Sequence, residues 1–165
     1  MNRRIKKKKQ RQLNKKLCER YPFLIPRNRW TDRISWESKY TWYYIHPYSY
    51  TELDDMPIGW RRAFAIPMCE EIREDLIRCN FLNEYRIFQI KEKYGELRWY
   101  DGGVPAESKV YDIIDKYTKK SRYTCIRCGR PATKIAQGWI SPYCDKCAKE
   151  LSKNPWNTFE DIRKD

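Results

Sequence analysis

The stretch TCIRCGRPATKIAQGWISPYCDKC, residues 124–147, holds four of the chain's seven cysteines in two C-x-x-C pairs. Cys125 and Cys128 are followed, after fifteen intervening residues, by Cys144 and Cys147, which is the spacing of a structural zinc site. A C-x-x-C turn sets two thiolates about one metal-ligand separation apart. Gly129 behind the second cysteine lets backbone amides approach the sulfurs. Between the pairs, TKIA and GWIS flank Gln137-Gly138 and predict a short hairpin, and DKCAKELSK from Cys144 onward is helix-prone. Knuckle, hairpin, then a helix whose first turn carries the last two ligands is the order of a treble clef. A zinc ribbon, with a strand in place of that helix, is the other arrangement the spacing allows.

The expected cofactor is one structural Zn2+ on Cys125, Cys128, Cys144 and Cys147. A catalytic zinc keeps three protein ligands and an open position for water, whereas four thiolates fill the tetrahedron. The single histidine, His46, lies far from these cysteines in sequence, and no H-x-E accompanies the C-x-x-C pairs as a deaminase requires. His46, beside Pro47, reads as a packing or hydrogen-bonding residue. No phosphate-binding, nucleophile-elbow or dinucleotide glycine motif occurs. The expectation is a protein that is not an enzyme and takes no small-molecule substrate.

The formal net charge of +13 is unevenly spread. Residues 1–20 carry ten Lys or Arg against one Glu, residues 21–118 fourteen against sixteen acids, and residues 119–165 eleven against five. The basicity therefore sits at the two ends of a nearly neutral body. Such a distribution suggests nucleic-acid contact through Arg3, Arg4, Lys6, Lys7, Lys8 and Lys9, and through Lys119, Lys120, Arg122, Arg127, Arg130 and Lys134 beside the cysteines. Two bland alternatives stand beside this: a solvated tail at residues 1–20, and a cysteine flank whose cations offset the charge of a Zn(Cys)4 centre. No apolar run approaches a membrane span. The basic start lacks the apolar stretch of a signal peptide, so a cytoplasmic protein is expected, where paired cysteines more often bind metal than form disulfides.

The chain divides into a basic tail, disordered or helical (1–20), an α+β body (21–121), a zinc module (122–153) and a C-terminal tail (154–165). Residues 21–56 are irregular and rich in Trp and Tyr, which are expected in the core; only TWYYIHPYSY, residues 41–50, suits an extended strand. Residues 57–79 predict a helix with Trp60, Phe64, Met68, Ile72 and Leu76 on one stripe. Asp54 or Asp55 can cap it, and Pro67 is expected to kink it near Ala65–Ile66. Cys69 and Cys79 read as small apolar residues rather than ligands. YRIFQIKEKYGELRWYD, residues 85–101, predicts a hairpin turning at Tyr94–Gly95. Residues 105–121 predict a second helix with Val110, Ile113, Ile114 and Tyr117 inward. The fold class is thus α+β: a small hairpin-centred sheet packed on two helices, with Trp139 anchoring the zinc module.

The words TELDDMPIGWRRAF, IKEKYGELRWY, CIRCG, GWISP and CDKC together resemble a family of uncharacterised proteins encoded by bacteriophages and prophages. The resemblance covers residues from about 50 to 148, and the hairpin motif is its most specific part. It implies a phage accessory protein with a zinc module, acting in the bacterial host cell on host nucleic acid or on a defence protein complex. The lysine-rich first 20 residues lie outside the shared pattern. Within the hairpin, Glu92, Glu96, Lys93 and Arg98 are candidates for cross-strand ion pairs that set register. Lys91, Lys93, Arg98, Trp99 and Tyr100 are the alternative, a partner-binding face. Two functions follow: low-specificity binding of DNA or RNA through the basic ends, or inhibition of a host complex such as a nucleic-acid-guided nuclease.

Overall fold

Large side chains at four-residue spacing have to meet a common core, and five of them organise the body. The computed structural model describes residues 3–37 and 46–162. Trp60, Phe64, Met68, Ile72 and Leu76 are all fully buried on one stripe of a continuous helical stretch. That stretch comprises α2 (Ile58–Trp60), a π-helical turn (Arg61–Ala65) and α3 (Ile66–Arg78). The π turn ends two residues before Pro67. Proline has no N–H to give and its ring crowds the carbonyl four residues back, so the helix widens there instead of breaking. Asp54 does not cap this helix. It closes a capping box with Thr51 around a short 3-10 turn, Glu52–Asp55, and pairs with Arg61 at 2.6 Å.

The expected hairpin is β1 (Ile87–Lys93) against β2 (Glu96–Asp101), antiparallel. Tyr94 and Gly95 form its two-residue turn with φ of 54° and 80°. Two left-handed residues match the natural strand twist, and a glycine takes the second without strain. Glu92 accepts the Gly95 N–H at 2.6 Å and holds the turn. Ile87, Ile90, Leu97 and Trp99 are buried inward. Helix α4 (Val110–Arg122) covers them and contacts α3 and β2. It begins at Val110 rather than Pro105 because Asp75 of α3 supplies its cap, accepting from the Lys109 N–H at 2.8 Å and the Ser108 hydroxyl at 2.7 Å. Val110 and Tyr117 are buried, with Ile113 and Ile114 partly so.

Residues 1–20 are expected as a basic tail, disordered or helical. Residues 3–20 are helical, α1 (Arg3–Arg20), and its C-terminal half is tied to the body. Ile5 and Leu13 stay exposed, and the buried positions are Asn14 and Cys18. The Asn14 amide donates to the Tyr48 carbonyl at 2.9 Å and accepts from Gln10, so its burial leaves no polar group orphaned. Arg20 forms a two-pronged pair with Glu70, and Tyr21 donates to the same carboxylate. These bonds hold the Glu70 carboxyl below its ordinary range.

A second sheet, in order β4-β3-β5, joins β3 (Lys134–Ala136), β4 (Ser141–Tyr143) and β5 (Phe159–Asp161). Helix α5 (Asp145–Leu151) follows β4. The C-terminal residues expected as a tail thus supply an edge strand, because Tyr143 and Phe159 meet edge-to-face across β3 and Lys134 pairs with Asp161. Trp42, Tyr43 and Tyr44 of the expected strand at 41–50 lie outside the described residues, and His46–Tyr50 form a turn rather than a strand. Among the described residues no helix is long and apolar enough to cross a membrane.

Candidate metal centre and the basic surfaces

Cys125 and Cys128 sit on the turn that follows α4, Cys144 immediately precedes α5, and Cys147 lies in its first turn. Their four sulfurs lie within 4.8 Å of one another. The Cys128 and Cys144 sulfurs are 3.6 Å apart. Four thiolates about 2.3 Å from a zinc ion stand roughly 3.8 Å from each other, so the set can hold one tetrahedral metal. All four donors are sulfur, which suits zinc or another thiolate-seeking metal and argues against calcium or magnesium.

The knuckle is shaped by short-range bonds. The Cys125 N–H donates to the Arg130 carbonyl, and the Gly129 N–H to the Cys125 carbonyl. Gly129 has φ +83° and needs to be glycine on that ground. The amide that reaches a sulfur is that of Arg130, directed at Cys128. The Arg130 guanidinium adds Nε to the Cys128 sulfur at 3.4 Å and Nη2 to the Cys144 sulfur at 3.3 Å. Burial pushes the Cys128 thiol up, but these bonds outweigh it and bring the group down to about 6. Burial and neighbouring sulfurs push Cys147 up to about 12. A site that already favours one thiolate needs a cation to hold four.

The attachment to the body differs from expectation. Trp139, expected as the anchor, is 75 % exposed, and its indole N–H donates to Glu92 of β1 at 2.8 Å. Gly59 and Trp60 of α2 make the junction. The Gly59 N–H donates to the Ile126 carbonyl, and the buried Trp60 indole donates to the Thr124 carbonyl at 2.8 Å. A Cβ on Gly59 would lie 2.1 Å from the Cys125 carbonyl oxygen, and one on Gly129 would lie 2.6 Å from the Gly59 carbonyl oxygen. Two glycines from distant segments therefore let backbone meet backbone between helix and knuckle. Their signal in the sequence was a glycine within the first helical turn, where alanine would be the better helix former.

The cationic flank of the cysteines has local partners. Lys119 pairs with Asp115, Arg122 with Glu96, Arg127 with Glu150 and Lys134 with Asp161. Lys120 lies over the Phe64 and Tyr117 rings, and Arg130 faces the thiolates. On α1, Arg3, Lys6, Lys7, Lys8 and Lys9 are exposed with Arg4. Arg4, Lys7, Lys8, Arg11 and Lys15 line an open groove of about 480 Å³ against His46, Pro47 and Tyr48.

From Gln89 to Lys93 and along β2 the hairpin alternates as its sequence predicted, and this splits the expected partner-binding set. Lys91 and Arg98 face each other on the outer side, with Tyr100 and Lys93 beside them. Trp99 is buried on the inner side and donates to the Tyr85 hydroxyl, so it leaves that face. The expected cross-strand ion pairs are replaced. Glu96 pairs with Arg98 on its own strand at 3.0 Å and with Arg122 of α4 at 2.7 Å. Glu92 serves the turn and Trp139. Compared with protein-family models, with curated proteins and with solved structures, the chain finds no match.

Proposed function

We propose that the protein is a non-enzymatic nucleic-acid-binding protein whose C-terminal module is a treble clef closed by one structural Zn2+. The single observation that carries the binding reading is the cationic face of α1. Arg4, Lys7, Lys8, Arg11 and Lys15 recur at helical spacing along one groove, and the helix that bears them is fixed by Asn14, Cys18 and Arg20. Fixed cations in a row suit a phosphate backbone, whose contacts carry affinity without reading sequence. The zinc flank is secondary, because acids or thiolates already face most of its cations. The zinc reading rests on four clustered thiols in knuckle, hairpin, helix order. The metal, when bound, supplies charge and cross-linking; Arg130 and the Gly59–Gly129 contact then hold the knuckle in place. The resemblance of the hairpin motif to phage proteins favours a role in an infected bacterial cytoplasm.

Binding of a labelled 20-mer is expected to weaken about 100-fold or more between 50 and 200 mM salt, as about five phosphate contacts imply. Replacing Lys7, Lys8 and Arg11 with Gln should flatten that salt slope by about 3. Salt-insensitive binding, or a slope unchanged by the substitutions, overturns the reading. A second reading, a protein-binding inhibitor, draws on Tyr94, Trp139 and Ile140, exposed apolar side chains along an open cleft of about 440 Å³ between the two hairpins. A stoichiometric host protein retained through nuclease treatment and high salt, and lost in Trp139→Ala, would favour it.

A further inference from the structure

The outer face of the β1–β2 hairpin carries a group of side chains that neither the metal centre nor the cationic groove uses. Strand alternation should send Phe88 outward and Gln89 inward. The register instead slips between Ile87 and Gln89, and a β-bulge results. Ile87 and Ile90 remain buried while Phe88 and Gln89 are both exposed. The bulge forfeits regular pairing and leaves an aromatic ring in solvent, a use of bulges common beside functional sites. Gly102 leaves room for that ring, since a Cβ there would stand 3.2 Å from the Phe88 Cζ.

Around Phe88 stand other exposed rings and two cations. Trp30 is 85 % exposed, on a loop whose shape is set locally. Asn28 accepts from the Trp30 and Thr31 N–H groups, and Asp32 is pinned by Arg27 and Arg86. The Arg29 guanidinium lies 5.5 Å from the Trp30 ring and 5.7 Å from the Phe88 ring, so two rings share one flat cation. Lys91 stands 5.1 Å over Tyr100. Phe88, Lys91, Tyr100 and Tyr111 line an open groove of about 700 Å³ with Arg29. Its one carboxylate, Asp101, is engaged by the Gly103 N–H and the Tyr111 hydroxyl. Among the described residues neither Arg29 nor Lys91 pairs with an acid.

We propose that this face binds single-stranded nucleic acid, with unpaired bases stacking on Phe88 and Tyr100 and with Arg29 and Lys91 meeting the phosphates. The proposal rests on the nucleic-acid reading above and adds to it a surface and a strandedness. Exposed rings interleaved with unpaired cations complement a chain of flat bases joined by anions. A duplex hides its base faces and gives such rings nothing to stack on. A rigid α1 groove alone would take either form.

The test measures binding of a labelled single-stranded 12-mer and of the matching duplex to the full-length, metal-loaded chain at fixed salt. Phe88→Ala and Tyr100→Ala are each expected to weaken the single strand roughly 5- to 100-fold and to leave the duplex unchanged. Tyr100→Phe keeps the ring and should bind as the parent does, which separates stacking from loss of fold. Tryptophan emission should quench on titration with the single strand, and quench less in Trp30→Phe; equal quenching in that variant counts against the face. Parent-like binding by both alanine variants overturns the proposal while leaving the α1 reading intact, as does equal weakening of duplex and single strand. If no oligonucleotide binds at all, both fall. Capture of a protein through the same rings, without oligonucleotide binding, would overturn the proposal in favour of a protein interface.

Discussion

The chain contains two hairpins that hold their shape by different physics. The first, β1–β2, buries Ile87, Ile90, Leu97 and Trp99 in the core of the body, with α4 against β2 and the Glu52–Asp55 turn against β1. The second, β3–β4, has three-residue strands, and its buried cluster consists of Cys125, Cys144 and Cys147 with Cys128 and Tyr143 packed against them. A module that small cannot exclude enough apolar surface to offset its chain entropy, so cross-linking through a metal on these thiols would stand in for the missing core. One hairpin is therefore stabilised continuously by burial, and under the zinc reading the other is stabilised in an all-or-none way through four sulfurs.

The largest expected effect separates the two. Under the zinc reading, Cys147→Ser removes one ligand from a centre of the kind whose metal contributes on the order of 10 kcal/mol in small modules. Metal analysis should show loss of zinc, and amide exchange should accelerate across 123–162 while β1, β2 and α3 keep their protection. Simultaneous exchange of both regions would mean that the body depends on the metal too.

Gly59→Ala probes the joint rather than either side. Its Cβ would enter the contact between α2 and the knuckle, and overpacking of this kind costs about 1–3 kcal/mol, with more where only backbone can yield. The thermal midpoint should fall with zinc retained, and exchange should rise at residues 124–130. An unchanged midpoint would show that the module floats free of α2.

The smallest effect is pH-dependent and belongs to the body. Glu52 is buried, and burial together with nearby Asp55 raises its carboxyl from 4.5 to about 7. A folded value above the unfolded one means that the folded chain holds the proton more tightly. The associated stability is present below about pH 4.5 and is lost as pH rises through 7. Glu52→Gln should therefore be nearly neutral at pH 5 and more stable than the parent at pH 8, by up to roughly 3 kcal/mol. Denaturant melts at the two pH values measure it, and equal differences at both would exclude ionisation of Glu52 as the cause.

Much of this architecture was legible in the residues themselves. The four-residue stripe from Trp60 to Leu76, the turn at Tyr94–Gly95 and the two C-x-x-C pairs each depend on spacing over a few positions. Helical pitch, strand alternation and turn geometry act at that range, so pattern maps directly onto structure. Trp30, expected in the core, is exposed, and Trp139, expected as an anchor, reaches the body through one hydrogen bond to Glu92 while its ring stays in solvent, because composition alone does not say which aromatic side chains meet the core. Trp99 was placed beside Lys91 and Arg98 as part of one surface, although strand alternation puts it on the opposite face.

What spacing cannot carry is which distant backbone comes near. Nothing about Gly59 identifies the Cys125 carbonyl as its neighbour, and nothing about Asn14 identifies the Tyr48 carbonyl. The last strand pairs with β3 where Phe159 meets Tyr143 across the sheet and Lys134 meets Asp161. A polar residue on a helix or a glycine at its start is locally a weak choice; each becomes the right one when a long-range contact needs its amide or its missing Cβ. Local preferences assign most of the elements and the candidate metal ligands from the chain alone. The joint between module and body, the attachment of α1 and the outward turn of Phe88 follow from close approach in three dimensions, where sterics and hydrogen-bond satisfaction outweigh local propensity.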